Sequence, residues 1–474
     1  MTNTNLQKDL AALIGSDKVI TDPLELKYYS YDSSFEAKLH RFNPDAVVMP
    51  KSTEDVSKVM KYAYENNIPV TPRGGGSGET CGSVATQGGI VMDLSPWDTI
   101  DEVDMANMQV FVRPGVIHGK LNDHLSEFAL FFPPDPGSTR MATIGGMVAN
   151  NSSGLRAVKY GATENYVLGL EVVLPNGDVI YTGGKNSRAV KSVSGMNITK
   201  LMVGSEGTLG IITQVRLRVW PKPKARGIAL AIFPNLDDAP ATVLDVYQSG
   251  ILPSGIEILD DSAIKAVNLY SPELNLPDAQ AILLFEVDGN PASVDWEGAR
   301  IAEICKKRAS EVEWATDPAR MTALWKARSV TATAAARVRP DGSRIFAGED
   351  ISVPLSKVTE VLRRIKALGE KYGIKVVNYG HIGDGNVHTA PVIDPECEAE
   401  VAQVQKLTDE IHLLAIELGG STTGEHGVGL VRAKYAYLEH GPAVDTMKTI
   451  KKALDPKGIM NPGKLFLMEE DSNA

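Results

Sequence analysis

Two glycine-framed segments carry the residues best suited to chemistry: Gly380-His381-Ile382-Gly383-Asp384-Gly385-Asn386-Val387-His388 and Gly424-Glu425-His426-Gly427-Val428-Gly429. A turn centred on Gly383-Asp384-Gly385, with a strand on either side, predicts a hairpin. Such a hairpin brings His381 and His388 together although they lie seven residues apart. Two imidazoles and one carboxylate form a three-ligand set with open positions, suited to Zn²⁺, Fe²⁺ or Mn²⁺ as a Lewis acid. The glycine framing sets His381, His388, Glu425 and His426 apart from His40, His118, His124, His412 and His440, which have no polar cluster beside them and are assigned no role. Arg328 closes Leu324-Trp325-Lys326-Ala327-Arg328. Its guanidinium can grip a carboxylate through two parallel hydrogen bonds, or can be a solvated residue on a helix face.

A second group of segments suits a phosphate-bearing ligand. In Arg73-Gly74-Gly75-Gly76-Ser77-Gly78, successive N–H groups can point at one anion with no Cβ in the way, although clusters of this kind also serve as turns alone. The loop is neither a dinucleotide G-x-G-x-x-G nor a phosphate loop ending in Gly-Lys-Ser/Thr. Pro133-Pro134-Asp135-Pro136-Gly137-Ser138 is too rigid for a helix or central strand. Thr143 to Gly154 mixes small residues with side-chain donors, and Gly204 to Thr213 runs from a tight loop into a strand.

These four segments, in this order and spacing, resemble the FAD-binding domain of the vanillyl-alcohol-oxidase superfamily, and the resemblance covers nearly the whole chain. Within that superfamily the chain is most similar to D-lactate dehydrogenases and the catalytic subunit of glycolate oxidase. The resemblance implies FAD held by Arg73, Gly74, Gly75, Gly76 and Ser77 at the pyrophosphate. Pro134, Asp135, Gly137, Ser138, Thr143, Gly145 and Gly146 would line the flavin and phosphates. Ser152, Gly154, Gly204, Glu206, Gly207, Gly210, Ile211 and Ile212 would hold the ribose and adenine side. Some members link the flavin to a histidine in the glycine-rich loop; Ser77 stands in that place, so non-covalent FAD is expected. Asn461-Pro462-Gly463-Lys464 resembles the C-terminal segment that returns to the flavin. By the same resemblance His381, His388 and Glu425 are metal ligands, His426 is the general base and Arg328 binds the substrate carboxylate. Ala390 stands two residues after His388 where many relatives have Asn, and Gly348 where 2-hydroxyglutarate enzymes use a lysine. Both departures favour a short monocarboxylate.

The elements that must position these residues are legible in outline. Leu6, Leu10 and Leu13 predict an N-terminal helix, with Thr4 and Gln7 as its capping box and Gly15 at its end. Asp45–Met49 reads as a strand. A helix capped by Ser52 or Thr53 buries Val56, Val59, Met60 and Ala63, and a strand over 68–71 completes a β-α-β unit at the glycine-rich loop. Val215, Leu217 and Val219 alternate with Gln214, Arg216 and Arg218, as in a half-buried strand. Pro221-Lys222-Pro223 marks a boundary. Beyond it come a strand over 281–287, a helix capped by Ser356 with Val358, Val361, Leu362, Ile365 and Leu368 inward, a strand over 374–379, and a long helix over 397–418. The fold class expected is α+β: a two-lobed FAD-binding domain plus a ferredoxin-like α+β substrate domain. The divisions are 1–41 (N-terminal helical segment), 42–221 (FAD-binding), 222–420 (substrate-binding cap) and 421–474 (the segment packing near the flavin). The acidic end, Glu469 to Ala474, is expected to fray.

The chain has 474 residues, 48 Lys+Arg against 59 Asp+Glu and a net charge of −11, with 43% hydrophobic residues. That supports large cores and argues against nucleic acid. Three cysteines, Cys81, Cys305 and Cys397, include no C-x-x-C pair, which excludes a disulfide framework, a c-type haem site and a cluster held by this chain alone. Cys81 reads as a small core residue. No run reaches the ~18 apolar residues of a membrane span. The reading is an FAD-dependent dehydrogenase of a small D-2-hydroxy acid, D-lactate or glycolate. Electrons would pass to a separate protein, an electron-transfer flavoprotein or an iron–sulfur subunit, in the cytoplasm or at a membrane through that partner. The alternatives are a D-2-hydroxyglutarate dehydrogenase, a non-redox flavoenzyme like the ether-lipid synthases, or an electron-carrying flavoprotein subunit.

Overall fold

The computed structural model describes residues 3–345 and 350–467, which leaves Gly348 and the acidic end outside the description. The chain divides into two units. The first comprises residues 1–153, 162–222 and 425–474; the second comprises 154–161 and 223–424.

The first unit opens with the helix Asn3–Ile14. It begins before Thr4, and its buried face is Leu6, Leu10 and Ile14, with Leu13 only partly covered. Ala46–Val48 follows, then the helix Thr53–Asn66, in which the Ser52 side chain accepts from the Asp55 N–H. Val56, Val59, Met60 and Ala63 are buried. The next strand is Val70–Arg73, two residues later than the sequence reading, because Asn67 in the left-handed region closes the helix first. The β-α-β unit is therefore a crossover rather than a direct pair. Ile90–Asp93 lies between Ala46–Val48 and Val70–Arg73, parallel to both. Val19–Ile20 adds the antiparallel edge of this sheet, so the first 41 residues contribute a strand as well as helices.

A five-stranded antiparallel sheet of the same unit runs Ile100–Asp104, Gln109–Val112, Ile211–Arg218, Val167–Val173, Val179–Thr182. Ile211–Arg218 is its central strand and is buried on both faces, not on one. Arg216 is inside because its Nη2 donates to the carbonyls of Leu168 and Gly183. Trp220–Pro221 continues as a short strand against Leu130–Phe131, which a proline tolerates at an edge.

The second unit is one antiparallel sheet covered by helices. Its order is Glu311–Ala315, Ala225–Phe233, Ala281–Gly289, Gly255–Asp260, Lys375–Gly380, Asn386–Ile393, Ser343–Arg344, with Asp350–Ser352 also paired to Asn386–Ile393. Asp261–Tyr270 and Pro318–Ala334 close one face over Leu259, Leu284, Val377 and Tyr379. The helix Val358–Tyr372 buries Val358, Val361, Leu362 and Ile365 as its spacing predicts. Ser356 is not its cap: a 3₁₀ turn, Leu355–Lys357, precedes it. The long helix is Glu398–Glu417. Residues 154–161 belong here because Arg156 pairs with Glu286 at 2.9 Å, Lys159 with Asp288 at 2.6 Å, and the Tyr160 hydroxyl donates to Asp288 at 2.8 Å.

Candidate active site

In the second unit the predicted hairpin forms. Lys375–Gly380 and Asn386–Ile393 pair antiparallel, Tyr379 opposite His388, and the turn between them is Ile382–Asp384. Gly385 closes it at φ +79°, where a Cβ would collide with the Val353 carbonyl oxygen. His381 and His388 end with ring centroids 5.0 Å apart and planes at 89°. Both are buried.

The residue that ties this hairpin to Arg328 is one the sequence reading passed over. Glu257 sits in Gly255–Asp260, the strand next to Lys375–Gly380, and its side chain is fully buried. Its Oε1 lies 2.5 Å from His381 Nδ1, and its Oε2 accepts from Arg328 Nε. A carboxylate only accepts, so His381 Nδ1 carries the hydrogen and Nε2 presents the lone pair. Arg328 comes from the helix Pro318–Ala334, started by Asp317, whose side chain accepts from the Arg320 N–H. Its guanidinium stands 4.9 Å over the Tyr379 ring, and the Tyr379 hydroxyl accepts from Arg344 at 3.0 Å. The Tyr379 and His388 rings lie 5.5 Å apart. Asp350, opposite His388 in register, is 3.8 Å from its Nδ1, beyond a hydrogen bond, and accepts instead from Asn386 and Thr423 at 2.7 Å each.

In the first unit, Gly74 to Gly78 follows Val70–Arg73. A Cβ on Gly74 would meet the Thr143 hydroxyl, and one on Gly75 the Met141 carbonyl, so the loop lies directly against 141–143. Thr143 caps the helix Ile144–Asn150, and Gly145 donates to Pro114 at 2.8 Å. Pro134, Asp135, Gly137 and Ser138 form a loop without helix or strand, and the Ser138 carbonyl accepts from Met141 and Ala142. Gly204 and Glu206 donate their N–H groups to Val148 and Ala149, which brings 204–212 to the same helix. Ser152 accepts from Thr163; Gly154 opens the eight residues of the second unit. The Arg73 guanidinium folds back beneath Gly76, between Asp32, Asp93 and Tyr29, and burial holds its pKa below the ordinary value. Cys81 is buried, and burial pushes its thiol up to about 12, as suits an inert core residue.

The C-terminal segment returns to this loop. Val70 donates to Ile459, and Asn461 donates back to Val70, both at 2.8 Å. Asn461 Nδ2 donates to the carbonyls of Gly82 and Glu206, while its Oδ1 is buried with no partner among the described residues. The Glu206 carboxylate accepts the N–H groups of Val428 and Gly429, each at 2.7 Å. Burial pushes its pKa up and those two donors pull it down, the rise prevailing. It thereby fastens the loop that carries Glu425 and His426. His426 Nδ1 lies 3.1 Å from Glu79 Oε2. The Glu425 carbonyl accepts from Asn150 at 2.9 Å, and its carboxylate from Ser153 at 3.3 Å.

The residues of the two segments suit a flavin nucleotide and a divalent cation. The glycine loop offers backbone with no Cβ, and the unpartnered Asn461 Oδ1 beside it needs a donor, as a flavin nucleotide provides. His381 with Nδ1 engaged and His388 5.0 Å away present imidazole nitrogens of the kind that bind a divalent cation. Of the residues that matter here, Glu257, Tyr379, Asp350 and Glu79 were not found from sequence. The one available signal was a lone acid in the apolar run Gly255-Ile256-Glu257-Ile258-Leu259.

Comparison with known proteins shows the family. A family described as "FAD linked oxidases, C-terminal domain" matches residues 222–465, and one described as "FAD binding domain" matches 44–183. The glycolate oxidase subunit GlcD of Bacillus subtilis is 40% identical over 92% of this chain and 92% of its own. The mitochondrial D-lactate dehydrogenase (cytochrome) of Arabidopsis thaliana is 38% identical over 89% of this chain and 73% of its own, and a D-lactate dehydrogenase of Archaeoglobus fulgidus 36% over 88% and 90%. A 4-ethylphenol oxidase from Gulosibacter chungangensis superposes with TM-score 0.80 over 98% of this chain and 97% of its own. At 21% identity that likeness concerns the fold alone. No described helix is long and apolar enough to cross a membrane.

Proposed function

The chain belongs to the FAD-linked oxidase family that includes the glycolate oxidase subunit and the D-lactate dehydrogenases, and on that premise we propose that it oxidises a small D-2-hydroxy acid, D-lactate or glycolate, to the 2-oxo acid. It is an FAD-dependent hydroxy-acid dehydrogenase in which FAD is non-covalent, Ser77 standing where a linking histidine would be. When bound, FAD supplies a hydride acceptor and a divalent cation supplies a Lewis acid for the substrate hydroxyl. The chain's own residues do the rest. His381 and His388 hold the cation, with Glu425 as third ligand. Arg328 takes the substrate carboxylate through its terminal nitrogens, its Nε being occupied by Glu257. His426 accepts the hydroxyl proton, with Glu79 Oε2 3.1 Å from its Nδ1. Arg73 to Ser77, the 134–146 segments, 204–212 and Asn461 hold FAD. The reduced enzyme hands its electrons to a separate protein acceptor.

The observation that carries this reading is the arginine and the imidazole sharing one buried carboxylate: a grip for a carboxylate set beside a cation ligand is the pattern a 2-hydroxy acid requires. Anaerobic mixing with D-lactate, L-lactate, glycolate or D-2-hydroxyglutarate tests it. Bleaching of the flavin by D-lactate or glycolate is expected. Bleaching by none of the four, in protein that holds both FAD and metal, would refute it.

A further inference from the structure

Glu257 is the one acid in the middle of a strand whose every residue is buried. A fully buried carboxylate is costly to desolvate unless each oxygen finds a donor. Here each oxygen has one, from two different elements: the hairpin through His381 and the helix Pro318–Ala334 through Arg328. The neighbouring strand position explains why. Ile258 pairs with Gly380 and Leu259 with Tyr379, so Glu257 lies where that neighbouring strand ends and His381 begins. A purely structural ion pair needs only Arg328. The imidazole on the second oxygen has a different consequence: it fixes the ring's tautomer and its rotation.

We propose that Glu257 is a positioning residue that sets His381 and Arg328 together, so that the cation ligand and the carboxylate grip share one anchor. This rests on the function proposed above and extends it to a residue that touches neither substrate nor cation. With Nδ1–H of His381 on Oε1, Nε2 is directed outward as a ligand. With Nε of Arg328 on Oε2, the guanidinium plane is fixed over Tyr379 and its two terminal nitrogens form the fork. A change at Glu257 therefore moves two binding constants at once.

Glu257→Gln is the discriminating variant. An amide offers one acceptor and one donor, while both partners are donors, so one of the two bonds must fail. The FAD-loaded enzyme is titrated with Zn²⁺ and Mn²⁺ against a competing chelator, and KM for D-lactate and glycolate is measured by dye reduction. Glu257→Asp is carried alongside, since it keeps both acceptors on a shorter arm, and FAD content reports folding. Metal affinity in Glu257→Gln is expected to fall about 10- to 100-fold and KM to rise on the order of tenfold, with FAD retained. Glu257→Asp is expected to recover part of both. If Glu257→Gln keeps FAD and either constant stays at the wild-type value, the shared-anchor role is overturned. A loss of FAD and melting temperature without change in metal affinity would overturn it too, in favour of a structural ion pair. A wild-type enzyme that takes up no metal would overturn both this inference and the function beneath it, and is recognised before any variant is compared.

Discussion

Replacing Glu206 by glutamine isolates what holds the loop that carries the proposed base. Glu206 and Gln have the same shape, so the cavity is unchanged. The carboxylate accepts the N–H groups of Val428 and Gly429 at 2.7 Å each and is buried. An amide can accept only one; its NH₂ must then face the other backbone N–H. The variant loses a hydrogen bond to a charged group and leaves a buried donor unpaired, together about 2–4 kcal/mol. Relieving that mismatch requires residues 427–429 to swing away, so the cost falls on loop closure rather than on the whole domain. Dividing by 1.36 kcal/mol per decade gives an opening constant larger by roughly 30- to 900-fold. Amide hydrogen exchange followed on a peptide spanning 425–430 should speed up by that factor, while peptides from Ile211–Arg218 exchange as before. The turnover number should drop, since His426 lies two residues from Val428. Unchanged protection of Val428 and Gly429 in Glu206→Gln would refute the clasp.

Four further outcomes are expected. His426→Ala should lower kcat by roughly 10²–10⁴ while Arg328→Lys mainly raises KM, read from dye-reduction kinetics; equal effects on both constants would contradict the separate roles. His381→Ala or His388→Ala should lose bound metal yet keep FAD, measured by elemental analysis and the flavin spectrum. Glu286 is buried, which raises its pKa, but Arg156 and Arg226 more than offset this and hold it below the ordinary carboxylate value. Its folded pKa is thus depressed, so its stabilisation is present above about pH 4.5 and is lost as pH falls through the folded value. Glu286→Gln should accordingly flatten the fall in melting temperature over that acid range. The purified enzyme should reduce a dye but neither NAD⁺ nor O₂ at comparable rates; rapid stoichiometric peroxide formation would remove the protein acceptor.

Local patterns were legible where chemistry and spacing coincide. The Gly383-Asp384-Gly385 turn foretold the hairpin and the meeting of His381 with His388, because a tight turn fixes its own flanking register. The apolar face of Thr53–Asn66 was readable for the same reason, as period fixes face. What escaped was carried by distance along the chain. Glu257 lies 71 residues from Arg328 and 124 from His381, and no local rule joins them. Arg216 alternates like a solvent-facing residue yet is buried, because the carbonyls of Leu168, in the neighbouring strand, and Gly183 accept from its guanidinium. Glu206 was located by its glycines but not understood, since its partners Val428 and Gly429 come 222 and 223 residues later. The β-α-β unit was read correctly as local order, whereas the strand inserted within it, Ile90–Asp93, arrives from beyond the glycine-rich loop.

Two histidines in this chain each stand beside a glutamate and are suited to different work. His381 Nδ1 is hydrogen-bonded to Glu257 at 2.5 Å, which leaves Nε2 as its basic nitrogen, whereas His426 Nδ1 stands 3.1 Å from Glu79 Oε2 without that bond. What separates them is access. The Glu257 side chain has no exposure and that of His381 10%, whereas Glu79 and His426 are each 21% exposed. A ligand must hold its lone pair on a cation through every turnover, which a sealed, tautomer-locked ring does. A base must take a proton and then release it to water before the next substrate, which needs a ring that water can reach. Glu257 is further committed to Arg328, so its second oxygen is not available to follow the imidazole if it rotates. The proposed division of labour between ligand and base accords with the difference in burial between the two pairs.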